Sequence, residues 1–97
     1  MPTVETVLGP VDANDLGVVL SHEHVLVSMG EDMRHYPWRY DRARTLANAI
    51  REVGEARAGG IGAMIDLTTP DLGRDVGFIR QVALATRMHI IVATGIW

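Results

Sequence analysis

Two short runs, Ile61-Gly62-Ala63-Met64-Ile65-Asp66-Leu67 and His89-Ile90-Ile91-Val92-Ala93-Thr94, are apolar almost throughout, and each follows a stretch patterned for a helix. A strand with one face in water alternates apolar and polar residues; these runs do not. They read as strands covered on both faces, the pattern of a parallel sheet. Ahead of the first run, Ala43, Leu46, Ala47, Ile50, Val53 and Ala56 or Arg57 recur at helical steps within 41–58. Ahead of the second, Val76, Ile79, Val82, Ala83 and Thr86 do the same within 75–87. Asp41 and Asp75 suit the two N-caps, and Gly59-Gly60 supplies a left-handed stop for the first helix. A third apolar run, Val18-Val19-Leu20, follows Gly17. The resulting order, β–α–β–α–β, requires parallel pairing through crossover helices and makes the fold class α/β. Upstream, Val4–Leu8 alternates weakly before a Gly9-Pro10 turn signal, which predicts a short strand or half-hairpin.

Val18-Val19-Leu20 leads into Ser21-His22-Glu23-His24-Val25-Leu26. In a regular strand His22 and His24 point to the same side, with Cα atoms roughly 6.6 Å apart at about 3.3 Å per residue. Two imidazoles at that spacing can converge on one metal ion, and neutral imidazole suits Zn, Fe, Co, Ni or Cu better than Mg or Ca. Spacing alone leaves a chance pair open. Position favours the metal, because the pair closes a strand where a loop begins, which is where parallel α/β folds place their chemistry.

The chain has 97 residues, 47% of them apolar and 22% charged, with a net charge of −3, as expected of one small globular domain or a piece of a larger one. Six of the nine arginines lie between Arg34 and Arg57, but Glu31, Asp32, Asp41, Glu52 and Glu55 are interspersed. That is a solvated surface rather than a nucleic-acid footprint. Cysteine is absent, which excludes disulfides and thiolate metal sites. All basic residues are arginine, so no step needing a lysine amine can be completed within these residues. No signal-peptide pattern or membrane-length apolar run is present, and a cytoplasmic protein is expected.

Between the histidine strand and the first helix, residues 28–40 lose periodicity and mix Gly, Pro, charges and aromatics. A βα connection of this length tends to be functional. Tyr36, Trp38 and Tyr40 either cover an apolar pocket or pack over the adjoining helix. His35 lies on the side of the chemistry but reads as a solvent-exposed loop residue, and His89 opens the third strand at the opposite end. Asp66, the one charge in its strand, is read as structural or as supporting the site from behind.

Taken together, Gly9-Pro10-Val11, Leu16-Gly17 and Leu20-Ser21-His22-Glu23-His24 resemble the opening of the phosphotriesterase family, within the amidohydrolase superfamily. Ile65-Asp66-Leu67-Thr68, Leu72-Gly73-Arg74-Asp75 and Ile91-Val92-Ala93-Thr94-Gly95-Ile96-Trp97 continue the match in order. The resemblance covers essentially the whole chain, but only roughly the first third of a (β/α)8 barrel of about 250 residues or more.

The resemblance implies that residues 1–97 form a single partial domain, the N-terminal βαβαβ part of such a barrel, with the active site at the C-terminal strand ends. It implies a metal-dependent hydrolase that cleaves lactone or organophosphate esters with a metal-activated hydroxide. His22 and His24 match the family's first-strand ligands to a divalent metal of a binuclear site, Zn above all, with Fe, Co or Mn as alternatives. Trp97 matches a pocket-lining aromatic position. A small-molecule ester or lactone is the implied substrate and a homodimer the implied assembly, with neither nucleic acid nor membrane as partner. The family's bridging carboxylated lysine, later histidines and last-strand aspartate belong to strands absent from these residues. The 97 residues alone are therefore expected to bind metal weakly, to lack turnover and to need a partner to close the sheet. The competing readings are a truncated, non-catalytic fragment and another hydrolase or deaminase of the same superfamily.

Overall fold

The computed structural model describes residues 2–27 and 34–94. Among the described residues, strands β1 (Thr3–Thr6), β2 (Gly9–Asp12), β3 (Val18–Glu23), β4 (Ile61–Asp66) and β5 (His89–Val92) are accompanied by the long helices α1 (Arg42–Ala58) and α2 (Val76–Thr86). β3, β4 and β5 form a parallel sheet in that order. The β–α–β–α–β core expected for the opening of a (β/α)8 barrel is present.

The helices begin where the expected caps place them. Asp41 accepts the Arg44 N–H at 3.0 Å and Asp75 accepts the Phe78 N–H at 3.0 Å, each satisfying a donor that the first helical turn leaves without a partner. Arg42 donates to Asp75 at 2.6 Å and lies over the Phe78 ring, joining the two helix N-termini. Both helices start on the side where the strands end, so this link braces the face that carries His24.

The buried stripes differ from the expected ones by small rotations. On α1 the buried residues are Ala49 and Val53, with Leu46, Ile50 and Ala56 packed beside them, while Ala43, Ala47 and Arg57 are exposed. On α2 Phe78 joins Ile79, Val82 and Ala83 in the core and Val76 turns outward. Phe78 is the larger side chain, and burying it removes more apolar surface from water. Met64, Met88 and Ile90 complete the core between sheet and helices. The stop after α1 also differs. Gly59 keeps helical dihedrals, and Gly60 takes the positive φ of 110° that turns the chain into β4.

At the start of the chain, β1 and β2 form a complete antiparallel hairpin, with Val7-Leu8 rather than Gly9-Pro10 at its turn. Gly9 (φ 114°) already pairs with Thr6, and the Thr6 hydroxyl donates to the Gly9 carbonyl at 2.7 Å. The Val7 N–H donates to the Ile90 carbonyl at 2.8 Å, docking this turn on β5.

Only β4 is buried on both faces as the apolar runs predict. β3 pairs with β4 alone among the described residues, and its Val18 and Val19 are 59% and 37% exposed. An edge strand with so much apolar surface leaves a pairing edge uncovered.

Candidate metal centre

β3 ends at Glu23, so His24 stands one residue beyond the strand rather than within it. The register against β4 is irregular twice, between Val18 and Val19 and again between Leu20 and Glu23. The second irregularity leaves an extra residue in the Ser21-His22 segment of β3. Such bulges re-aim side chains at strand ends. Strict alternation is therefore not what brings the two histidines together. Their rings nonetheless meet edge to face, with centroids 5.4 Å apart, His22 exposed and His24 half-buried.

The surroundings of His24 come from the end of β4. Its Nδ1 lies 2.9 Å from the hydroxyl oxygen of Thr68, a residue 1% exposed. Asp66 is fully buried, and both its carboxylate oxygens accept backbone N–H groups: Oδ2 from Val25 at 2.9 Å and Oδ1 from Thr68 at 2.8 Å. A buried carboxylate is costly unless hydrogen-bonded, and here each oxygen has a donor. The backbone adds a third tie, from the Leu67 N–H to the Glu23 carbonyl at 3.0 Å. Asp66 is thus the structural residue expected from its place in the strand. The contact of Thr68 with His24 joins residues 44 positions apart and is not readable from the sequence. Its one local signal is Asp66-Leu67-Thr68 at the close of a buried strand.

The other candidates lie apart from this pair or beyond the description. His35 is exposed and, with Arg34, helical in the connection before α1 rather than part of an irregular loop, and His89 opens β5 at the N-terminal end of the sheet, half-buried. Trp97 lies outside the described residues. Tyr36 and Trp38 are exposed and meet edge to face with centroids 5.5 Å apart, with Arg39 over the Tyr36 ring at 4.5 Å. Tyr40 is half-buried near the start of α1; burial raises its phenol above the usual range, with the Arg42 charge opposing.

Two imidazoles whose rings approach within 5.4 Å form a donor set that suits a borderline metal such as zinc. Among the described residues no third His, Cys, Asp or Glu joins them as a potential metal-holding group. The pair fits as part of a ligand shell, not as a whole one.

The phosphotriesterase family model matches residues 2–97. A phosphotriesterase homology protein of Mycobacterium tuberculosis is 43% identical over 98 residues, covering 100% of this chain and 30% of the relative. An aryldialkylphosphatase of Saccharolobus solfataricus is 32% identical over 87 residues, covering 90% of this chain and 28% of that protein. The solved structure of the phosphotriesterase from Mycobacterium tuberculosis superimposes with a TM-score of 0.92 at 43% identity, over 98% of this chain and 30% of that one. The chain spans about 30% of the length of these relatives. A match that runs from the hairpin through the last strand, in sequence and in backbone alike, makes this chain a member of the phosphotriesterase family, and with it of a family of hydrolases.

Proposed function

We propose that this chain contributes the first-strand metal ligands, His22 and His24, to a metal-dependent hydrolase acting on lactone or organophosphate ester bonds. The observation that carries the reading is the meeting of the two rings at the C-terminal end of a parallel sheet, in a chain of this family. The ion would be divalent, with zinc best matched to imidazole donors. When bound, it would supply Lewis-acid chemistry and a water acidified toward neutral pH.

The chain's own residues have the task of holding two imidazoles in place at the strand end. β3 carries His22, and the turn pinned by Asp66 carries His24. Trp97, by the family match, would line the pocket for a small-molecule ester. With no third donor among the described residues, the isolated 97-residue polypeptide is expected to hold metal weakly and to lack turnover. The aryldialkylphosphatase relative supports the ester-hydrolysing branch over a deaminase.

Metal analysis of the complete gene product tests this reading. The His22→Ala/His24→Ala variant is expected to lose most of the bound metal while keeping the parent's circular dichroism spectrum. Unchanged metal content in a folded double variant would remove the ligand assignment.

A further inference from the structure

We propose that Thr68 and Asp66 position His24, selecting Nε2 as the nitrogen that His24 presents to the metal. This inference rests on His24 being a ligand and goes beyond it, to the residues that decide how the ring is presented. The Thr68 hydroxyl occupies Nδ1 at 2.9 Å. An imidazole that ligates through Nε2 while neutral carries its proton on Nδ1, so Nδ1–H then donates to the Thr68 oxygen. Ligation through Nδ1 would require that hydrogen bond to break and the ring to turn away from a buried side chain. Metal-bound histidines characteristically hold the other ring nitrogen in a hydrogen bond of this kind, which fixes ring orientation and donor basicity.

Thr68 is itself held from several directions. Its N–H donates to Asp66 Oδ1 at 2.8 Å, and its carbonyl accepts from Arg74 Nε at 3.0 Å. The other oxygen of Asp66 takes the N–H of Val25, the residue next to His24, at 2.9 Å. One fully buried carboxylate therefore fixes both sides of the contact: the backbone that carries Thr68 and the backbone that follows His24. The Asp66 backbone is tied in turn, since its carbonyl accepts the Ala93 N–H at 2.9 Å beside β5. A hydroxyl on a freely moving loop could not discriminate between the two ring nitrogens. A hydroxyl pinned to the end of a central strand can.

The test uses the complete gene product, with zinc affinity measured by competition with a chromophoric chelator and ligand geometry read from the visible spectrum of the cobalt-substituted protein. Thr68→Val, close in shape but lacking the hydroxyl, is expected to weaken metal binding by roughly ten- to a hundred-fold and to alter the cobalt spectrum. Thr68→Ser, which keeps the hydroxyl, is expected to restore both to near the parent values. Nitrogen-15 NMR of the zinc-loaded parent, which needs no variant to fold, is expected to show His24 bound through Nε2 with a proton on Nδ1. Parent-like affinity in Thr68→Val, or zinc on Nδ1, overturns the positioning role. A His24→Ala control separates the two failures. If it loses zinc while Thr68→Val does not, only the positioning role falls; if it too keeps parent affinity, the ligand reading falls with it.

Discussion

Gly62→Ala is expected to be the most damaging single-methyl change in the sheet. The reason is space rather than backbone freedom. A Cβ built on Gly62 would overlap the Leu16 carbonyl oxygen, stand 3.0 Å from the Leu16 carbonyl carbon and lie 3.4 Å from Gly17 Cα. Carbon atoms in good contact stand about 3.5–4.0 Å apart and a carbonyl oxygen only slightly closer, so the overlapped Leu16 oxygen sets the movement, about an ångström or more. What must move is main chain entering β3, not the tip of a flexible side chain. Adjoining ladder hydrogen bonds would stretch toward the limit of useful geometry. Overpacking of this kind costs about 1–3 kcal/mol, and a backbone neighbour places it near 3 kcal/mol. For a protein of barrel size, with a urea dependence of about 3 kcal/mol per molar or more, the unfolding midpoint should fall by up to about 1 M. Gly54→Ala is the control. Gly54 lies within α1, and among the described residues its Cβ would meet only Thr86 Cγ2 of α2, at 3.9 Å, so the same methyl should stabilise by about 0.5–1 kcal/mol. Urea titrations of both variants in the complete gene product, followed by circular dichroism, measure the two shifts. Midpoints for Gly62→Ala and Gly54→Ala that move together would refute the crowding argument.

Three further outcomes concern the core and the cap of α2. Phe78→Ala, at a fully buried position between sheet and helices, should cost about 3–5 kcal/mol, whereas Ile90→Val should cost about 0.5–1.5 kcal/mol, both by urea titration. Burial alone would raise the Asp75 carboxyl, but the Arg42 hydrogen bond and the Phe78 and Gly77 N–H groups outweigh it and hold it below the usual carboxylate range. A lowered folded value means stability that is complete above the unfolded value near 3.9 and lost as pH falls through the folded one. Asp75→Asn keeps a competent cap and loses the half-exposed ion pair, so it should destabilise by less than about 1 kcal/mol at pH 7. That difference should begin to shrink in thermal melts below about pH 4 and vanish only once the pH is below the lowered folded value.

The helices were legible because their determinants are local. Asp41 and Asp75 cap in the expected places, and the apolar periodicity found both helices within a residue or two. The rotation of each stripe, bringing in Ala49 and Phe78, was not legible, since it depends on which face the sheet presents. Val4–Leu8 could be read as extended, but the hairpin needed the pairing of Thr3 with Asp12 across a turn of weak signal. The exposure of Val18 and Val19 is likewise a matter of neighbours: an apolar run announces a buried strand only where another element covers it. At the candidate metal centre, His22 and His24 stood out by type and spacing. Thr68 could not, because a hydroxyl 44 residues away becomes a partner only when β4 lies beside β3.

That pairing also determines how the two histidines meet. The first irregularity gives β4 the extra residue, Gly62, between the partners of Val18 and Val19; the second gives β3 the extra residue, between Leu20 and Glu23. The offset between the strands is therefore restored by the time Glu23 comes level with Asp66. Without the second bulge Asp66 would stand level with His22. A slip of one residue turns every side chain to the opposite face of a strand, so the Asp66 carboxylate would be lost to the Val25 N–H. Thr68 would lose its place beside His24 in the same movement. The approach of the two rings is accordingly a property of the β3–β4 contact rather than of a His-x-His spacing alone. The spacing would bring two imidazoles together on any regular strand, while in this sheet the rings meet with His22 in a bulge and His24 past the strand end, and the buried end of β4 makes the arrangement specific.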